Sequence, residues 1–455
     1  MSKIYDGFAM ISNEQYAPYH YENGKIKLYL NEVPLPADKL FDVVCNNLKM
    51  EIGGHLLFHC PTPVNNTISF SKTDEAGKTQ DIARCSVIRE VDYFIENYES
   101  GCEFSKMTFS FTELERFVPS SEACEFSENL SKCVYDRRPK EIIRFNFSYK
   151  RKIIAFLIQV YAVTECSASC SSKTKTELVL TFDKTADIEF ALTLYRIVEC
   201  FFSFIFNHRN LDLNSVVLKG EKTIRVSTEK IVPFSQILTV IDKYKDEPER
   251  QEASKHSCLF DLFSPQLENL FKLCVNNKIS MASIHSSSSS RNLIDLKQSL
   301  HITATFENYQ RSYLPEISSA VTLEFYKDLN LFLQKYIKLN TGKKKSKAQN
   351  FLKSISPNIS LKEKICKTYV GYENWSGLVN ILGEQFDSKI EELAGIANTW
   401  RNELAHEKWE FEPDKRVISA IRLVEHINYC IVLRQAGYID AEISAIVEKI
   451  LANIE

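Results

Sequence analysis

The fold of the C-terminal third is decided by the stretch 417-VISAIRLVEHINYCIVLRQAGY-438. Its apolar residues recur every three or four positions, as on one face of an α-helix, at Val417, Ile421, Val424, Ile427 and Ile431. Pro413-Asp414 before the stretch and Gly437 near its end are residues typical of the start and the end of a helix. The stretch therefore predicts a long amphipathic helix that stops at Gly437.

The segment before this helix has the same periodicity. Its apolar face consists of Phe386, Ile390, Leu393, Ala397, Trp400 and Leu404, which predicts a helix over 384–405. Further helices are predicted near 316–338, 347–355 and 361–370, and a final one is capped by Asp440. A polar break, LNTGKKKSK, follows the first of these. The last third is thus predicted to be an all-helical bundle of about four or five helices.

The first half of the chain has a different pattern, in which apolar and polar residues alternate. KIKLYL (25–30) and IIRFNFSY (142–149) show this period of two most clearly. Similar short runs follow at 152–162, 177–182, 215–218 and 223–227. Many short alternating strands favour an antiparallel sandwich or an open barrel, with the apolar helix near 187–206 packed on it.

Together these patterns predict an α+β fold. We expect a β-rich, sandwich-like or barrel-like domain over 1–230 and an all-α helical bundle over 301–455. Between them, residues 231–300 are expected to form a linker and a helical connector, since 243–257 are charged and polar.

Composition narrows the class of protein. The net charge of the 455 residues is −3, so contact with nucleic acid must come from a local basic patch. Thirteen cysteines without a C-x-x-C pair fit a reducing cytosol, and the start, MSKIYDGFAM, has no secretory pattern. We expect a cytoplasmic protein with no membrane partner. Because no phosphate-binding glycine loop is present, no cofactor is expected.

One segment carries residues suited to catalysis. The predicted helix 384–405 ends in RNELAH (401–406), which places Arg401 and His406 five positions apart with Asn402 beside the arginine. On a continuous helix the two would lie roughly 140° apart and would not converge. They converge if the helix ends near Leu404, or if two copies of the segment face each other across a two-fold axis.

An arginine and a histidine suit metal-independent cleavage of RNA. A histidine with a pKa of about 6.5 can take the proton of a 2′-hydroxyl or give one to the leaving 5′-oxygen. An arginine can hold the scissile phosphate, and Asn402 can orient either partner. The spacing alone is weak evidence, because Arg250 and His256 in the polar linker also match the looser pattern R-x(4–6)-H. The alternative for Arg401 and His406 is an ordinary helix end, where the histidine favours the dipole.

The sequence also contains a lysine cluster and a closely spaced pair of histidines. The most basic stretch contains Lys343, Lys344, Lys345 and Lys347, which either contact RNA or form a solvated loop and helix face. His55 and His59 have a spacing that could bind a metal on a helix. Because GGHLLFHC reads as a strand, we expect no metal site there.

Here the motif leads to a known family. RNELAH, between two apolar helices, resembles the R-[ND]-x-x-x-H pattern of HEPN ribonucleases, and VISAIRLVEHINYCIVLRQAGY resembles the HEPN C-terminus of ApeA-type proteins. The β-rich first half, with CEFSKMTFSFTELERFV (102–118), is similar to the ApeA N-terminal domain. Glu403 and Glu407 depart from the usual surroundings of the motif by adding negative charge.

The resemblance implies a HEPN ribonuclease that acts in abortive infection and cuts cellular RNA when phage is sensed. It also implies a homodimer, or a higher assembly, with the R-x4-H cleft at the HEPN interface. By motif match, Arg401 and His406 would be catalytic and Asn402 supporting. The N-terminal domain would sense a phage-derived trigger or keep the enzyme silent.

Two other functions stay open. The chain could be a non-catalytic HEPN module for dimerisation or RNA binding, with a β-rich adaptor domain, although the intact Arg401 and His406 argue against this. It could also be a sensor of a phage ligand whose output is a partner protein.

Overall fold

The computed structural model describes residues 3–12, 15–30, 48–52, 55–61, 63–68, 85–118, 124–126, 133–135, 138–165, 171–225, 231–241, 259–287, 294–314, 320–354, 360–370, 389–405 and 413–451. The chain forms two compact units. The first consists of Met1–Glu199 and Asn210–Pro248, and the second of Cys200–Arg209 and Glu249–Glu455. The architecture is α+β, with antiparallel sheets in the N-terminal part and helices in the C-terminal part.

The first unit contains the strands. They are β1 (Tyr5–Ser12), β2 (Gln15–Glu22), β3 (Lys25–Tyr29), β4 (Leu48–Ile52), β5 (Leu56–Cys60), β6 (Pro63–Ile68), β7 (Cys85–Glu90), β8 (Tyr93–Glu96), β9 (Phe104–Phe109), β10 (Cys124–Phe126), β11 (Cys133–Tyr135), β12 (Lys140–Tyr149), β13 (Lys152–Glu165), β14 (Ser171–Thr185), β15 (Ser215–Arg225) and β16 (Ile231–Val240). The pairing of β15 with β16 extends the β-rich unit past residue 230.

The larger sheet has the strand order β12-β13-β14-β9-β15-β16-β8-β5-β4, with antiparallel neighbours throughout. The alternation seen in the sequence decides which face of a strand is buried. In β12, Phe145 and Phe147 are buried while Arg144 and Asn146 are exposed. Phe145 lies opposite Phe156 of β13 and stacks on its ring at 4.3 Å. A half-buried antiparallel sheet requires this alternation.

The smaller sheet has the order β1-β2-β3-β7-β6 and packs against the β4-β5-β8 end of the larger one. Their shared core joins Tyr19, Tyr21 and Ile26 of the smaller sheet to Phe58 and Phe94 of the larger. The rings of Tyr21 and Phe58 have centroids 5.0 Å apart. The two sheets are antiparallel and share this core, as the alternating strands of the sequence led us to expect for a β-rich region.

The described helices are α1 (Thr112–Phe117), α2 (Ile188–Phe206), α3 (Phe260–Phe263), α4 (Leu267–Val275), α5 (Leu296–Tyr313), α6 (Ala320–Leu339), α7 (Gly342–Ser354), α8 (Leu361–Val370), α9 (Ile390–Ala405), α10 (Lys415–Ala436) and α11 (Asp440–Leu451). No helix in these ranges is long and apolar enough to cross a membrane. Within the first unit, α2 packs on the larger sheet, and Phe190 contacts Phe182 of β14 edge-on.

Helix α10 has the ends that the sequence predicted. The Asp414 carboxylate accepts hydrogen bonds from the backbone N–H groups of Arg416 and Val417, both at 2.9 Å. Gly437 is left-handed, with φ 97°, and Tyr438 N–H donates to the Leu433 carbonyl. An N-terminal carboxylate cap and a left-handed C-terminal glycine satisfy backbone groups that a helix leaves unpaired at its ends.

The predicted polar break after residue 338 is shorter in the structure. Helix α6 ends at Leu339, and α7 begins at Gly342, so Lys343, Lys344, Lys345 and Lys347 lie on a helix rather than in a break. Lysine, glutamine and alanine have good helix propensity, which explains why the segment after Gly342 is helical. The predicted linker 243–257 lies outside the described residues.

Gly220 permits β15 to approach the segment before β9, because a Cβ at this position would lie 2.1 Å from the Glu103 carbonyl oxygen. We expect Gly220→Ala to destabilise the β-rich unit by about 2 kcal/mol, since the strand must move away to relieve the overlap. Thermal unfolding followed by circular dichroism measures the change. The control is Gly395→Ala in α9, where the nearest atom is 4.0 Å away and the helix gains propensity. An unchanged melting temperature for Gly220→Ala would contradict the prediction.

Candidate functional site

Arg401 and Asn402 lie in the last turns of α9. The helix buries Ala394, Ala397, Trp400 and Leu404 on one face, which leaves its other faces partly open to solvent. Asn402 is therefore exposed and Arg401 about one-third exposed. The amphipathic pattern that predicted the helix thus also places the arginine at the boundary between core and solvent.

The Arg401 guanidinium is held by a carboxylate of another helix. Its Nη2 donates to Glu307 Oε2 of α5 at 2.9 Å, and its Nη1 donates to Asn402 Oδ1 at 3.3 Å. Lys364 of α8 reaches the other oxygen of Glu307 at 3.4 Å. Two cations from two helices therefore share one carboxylate, and Asn402 supports the arginine from the following position.

This cluster has the chemistry of an anion subsite that a protein carboxylate occupies. Guanidinium bonds to a carboxylate and to a phosphate use the same N–H donors, so Glu307 and a phosphate group would compete for Arg401. Lys364 is largely buried, with 13% of its side chain exposed, and Glu307 is 23% exposed. Solvent therefore reaches the cluster mainly from the Arg401 side.

Sequence reasoning missed Glu307. It lies 94 positions before Arg401, inside the polar face of a different helix, and nothing in its neighbouring residues distinguishes it from a solvated glutamate. Only the packing of α5 against α9 brings the two together.

The other predicted site residues are His406 and four lysines. His406 lies outside the described residues, so its convergence with Arg401 stays a prediction. The four lysines, Lys343, Lys344, Lys345 and Lys347, are exposed on α7, which packs chiefly against α6. Helix α9 instead packs on α5, α8 and α10. The lysine cluster and Arg401 therefore belong to different parts of the helical unit.

A second polar cluster lies in the core of the helical unit. Glu425 Oε1 of α10 accepts two hydrogen bonds. One comes from His285 Nε2 at 2.7 Å and the other from the Asn207 side-chain amide at 3.3 Å. Although burial by itself would raise the pKa of Glu425, the charge and the hydrogen bond of His285 lower it to about 2. The pair tethers the segment around residue 285 to the centre of α10.

His426, the next residue in the chain, is also buried but has no comparable hydrogen bonds to other described residues. Neither of its ring nitrogens has a hydrogen-bond partner among the described residues. Burial lowers the pKa of His426 to about 4, against the opposing pull of Glu425. Because substrate cannot reach either group, we interpret this cluster as structural. A small cavity of about 20 Å³ beside Glu425, Asn428 and Tyr429 has room for about one water molecule.

The sequence predicted that GGHLLFHC forms a strand. In the structure, β5 (Leu56–Cys60) contains His59, and His55 lies in the turn just before it. His59 is bound to Asp92 at 2.6 Å and stacks on Tyr93. Within the described part of the chain, no group of three or more histidine, cysteine, aspartate or glutamate side chains is placed to bind a metal ion.

Comparisons of the chain with protein-family models, with curated proteins and with solved structures give no match. What distinguishes this region is the RNELAH motif and the contacts of Arg401 with Glu307 and Asn402.

The buried histidine predicts a pH dependence. In the unfolded chain His426 takes up a proton near pH 6.5, whereas in the folded chain it does so only near pH 4, so stability falls as pH drops through this range. Between pH 7 and pH 4 this costs the folded state roughly 3 kcal/mol of unfolding free energy, and we expect His426→Leu to abolish that part of the pH dependence. Urea unfolding at pH 7.0, 5.5 and 4.5 measures it.

The matched control is His301→Leu in α5, where the histidine is only half buried. It should leave the pH dependence close to that of the wild type. An equal slope for wild type and His426→Leu would show that other groups cause the acid sensitivity.

Proposed function

We propose that the chain is a metal-independent endoribonuclease of the HEPN type that acts in the cytoplasm in defence against phage. One observation carries the proposal: Arg401, supported by Asn402, lies partly exposed near the end of an amphipathic helix, and His406 follows it five positions later in the sequence. The position combines a phosphate-binding donor with a nearby titratable base, which is the combination that metal-free RNA cleavage requires.

In the proposed reaction, the 2′-hydroxyl of RNA attacks the adjacent phosphorus. The O2′–P bond forms and the P–O5′ bond breaks, which gives a 2′,3′-cyclic phosphate and a 5′-hydroxyl. A neutral His406 takes the proton of the 2′-hydroxyl, and a protonated His406, from a second copy across a two-fold axis, gives one to the leaving oxygen. Arg401 stabilises the charge that develops on the phosphate oxygens. DNA lacks the 2′-hydroxyl and would be a poor substrate.

The exposed lysines on α7 support contact with RNA. Lys343, Lys344, Lys345 and Lys347 add four positive charges to a short helix that has no acidic residue in its first turn. Such a cluster attracts the phosphate backbone without selecting a sequence. The β-rich unit would hold the enzyme silent until it meets a phage-derived trigger.

The contact between Arg401 and Glu307 supports a silent resting state. An ion pair and charge-assisted hydrogen bond occupy the donor that the phosphate needs. RNA would have to displace Glu307 from Arg401, and a displaced Glu307 would keep Lys364 as its partner.

The same contact also favours a second candidate function. If Arg401 only fixes α9 to α5, the chain would be a non-catalytic module for dimerisation or RNA binding, or a sensor of a phage ligand that signals to a partner protein. The two candidates differ in what happens when His406 or Glu307 is changed.

The test of catalysis compares wild type with His406→Ala in a bacterial host challenged with phage. We expect wild type to reduce plaque formation and to produce RNA fragments that end in a 2′,3′-cyclic phosphate. The variant should lose at least about 100-fold of the cleavage, because a positioned acid–base group contributes about that much or more. Circular dichroism of both proteins confirms folding. Full protection by a folded His406→Ala variant would support the adaptor function instead.

The test of the resting state is Glu307→Gln. This change frees Arg401 and Lys364 from a negative charge, so we expect about tenfold tighter binding to a single-stranded RNA. Fluorescence anisotropy at two salt concentrations measures the affinity. Glu324→Gln on α6 is the matched control, since it removes one charge from an exposed helix position. If both variants bind RNA as wild type does, Arg401 has a structural role only.

A further inference from the structure

Helix α6 exposes a continuous apolar stripe. Its residues, spaced four and three apart along the helix, are Phe325, Leu329, Phe332, Tyr336 and Leu339, which we call the α6 seam. Phe325 is 61% exposed, Phe332 63% and Leu339 85%. Three large apolar side chains at intervals of seven residues, all more than half exposed, are not the pattern of a solvated surface helix.

Among the described residues, the more buried face of α6 is a different one. A second stripe on α6, formed by Tyr326, Asn330, Leu333 and Ile337, is partly or fully buried. Helix α7 is the main neighbour of α6 and contributes the buried Ala348. Within the described part of the chain, α6 therefore has one face that is largely buried and one, the seam, that is largely exposed.

The spacing of the seam is that of a coiled coil. Alternating steps of four and three give an average period of 3.5 residues, which keeps the apolar side chains on one line along a partner helix. An aromatic side chain can bury about 150–250 Å², and α6 carries three aromatics in the seam. Pairing of two such seams approaches the area of about 800 Å² per partner that stable interfaces bury.

Charges beside the seam identify the partner. Asp328 and Lys335 lie on the same side of the stripe, on either side of its midpoint at Phe332. Both are exposed, and neither forms an ion pair within the described part of the chain. If two α6 helices pair antiparallel about a two-fold axis at Phe332, Asp328 of each copy approaches Lys335 of the other. In a parallel pair these residues would lie on opposite sides of the interface, and the two ion pairs would not form.

We propose that two copies of this chain associate through an antiparallel coiled-coil contact between their α6 seams, centred on Phe332 and flanked by two Asp328–Lys335 ion pairs. The inference does not depend on RNA cleavage, because it uses neither Arg401 nor His406. It assigns a surface to self-association that the sequence motif did not identify.

The test uses the full chain. Light scattering coupled to size-exclusion chromatography gives the mass of wild type, Phe332→Glu and the control Ile439→Glu, an equally exposed apolar residue outside the seam. We expect Phe332→Glu to halve the mass and Ile439→Glu to leave it unchanged. A mass of Phe332→Glu equal to wild type would overturn the proposal. Because mass is the readout, an inactive ribonuclease would not affect the result.

A charge exchange tests the orientation. Asp328→Lys places four positive charges beside the seam of the pair and should weaken association at least tenfold. Adding Lys335→Asp to the same chain restores opposite charges across the contact and should restore association. A double variant as weak as the single one would exclude the antiparallel arrangement.

Photo-crosslinking identifies the partner directly. A benzoylphenylalanine at position 332 should give a covalent product of twice the chain mass, and the same residue at position 439 should not. If position 332 instead crosslinks to RNA or to another protein of the host, the seam serves that partner and the proposal is wrong.

Discussion

The helical unit depends on the burial of α10. From Ala420 to Leu433 almost every residue of this helix is buried, including the polar Glu425, His426 and Asn428. A helix that is buried on all sides must pack against several neighbours, and α10 contacts α4, α5, α8, α9 and α11. The buried Glu425 then needs His285, because an unpaired buried charge would cost several kcal/mol. The position of the segment around residue 285 follows from that requirement.

The packing around α10 also produces the arrangement at Arg401. Helices α5 and α9 both lie against α10, so their polar faces meet beside it, and Glu307 comes within hydrogen-bonding distance of Arg401. Arg401, the residue that the sequence motif predicts to bind phosphate, thus already binds the Glu307 carboxylate. The contact would restrain Arg401 in a resting ribonuclease, and it would equally fix α9 to α5 in a non-catalytic module.

The two surfaces proposed for partners differ in their physical character. Around Arg401 the recognition would be electrostatic, through a guanidinium and a buried ammonium group. Along α6 it would be apolar, with charge used to select orientation. The α6–α7 pair carries both kinds of surface, since the exposed lysines of α7 follow the seam of α6 by only a few residues. An assembly built on the seam would therefore place the lysine clusters of two copies on one particle.

The sequence by itself determined the local features: the α+β class, the alternating strands, the boundaries of α10 with its Asp414 cap and Gly437 stop, and the RNELAH motif. These depend on neighbouring residues, whose periodicity and capping chemistry are visible in a linear pattern. Tertiary structure alone decided that β15 and β16 join the larger sheet, that Glu307 binds Arg401 and that His285 forms a hydrogen bond with Glu425. Each of these joins residues far apart in the chain, and no local pattern encodes which distant side chain will fill a given contact.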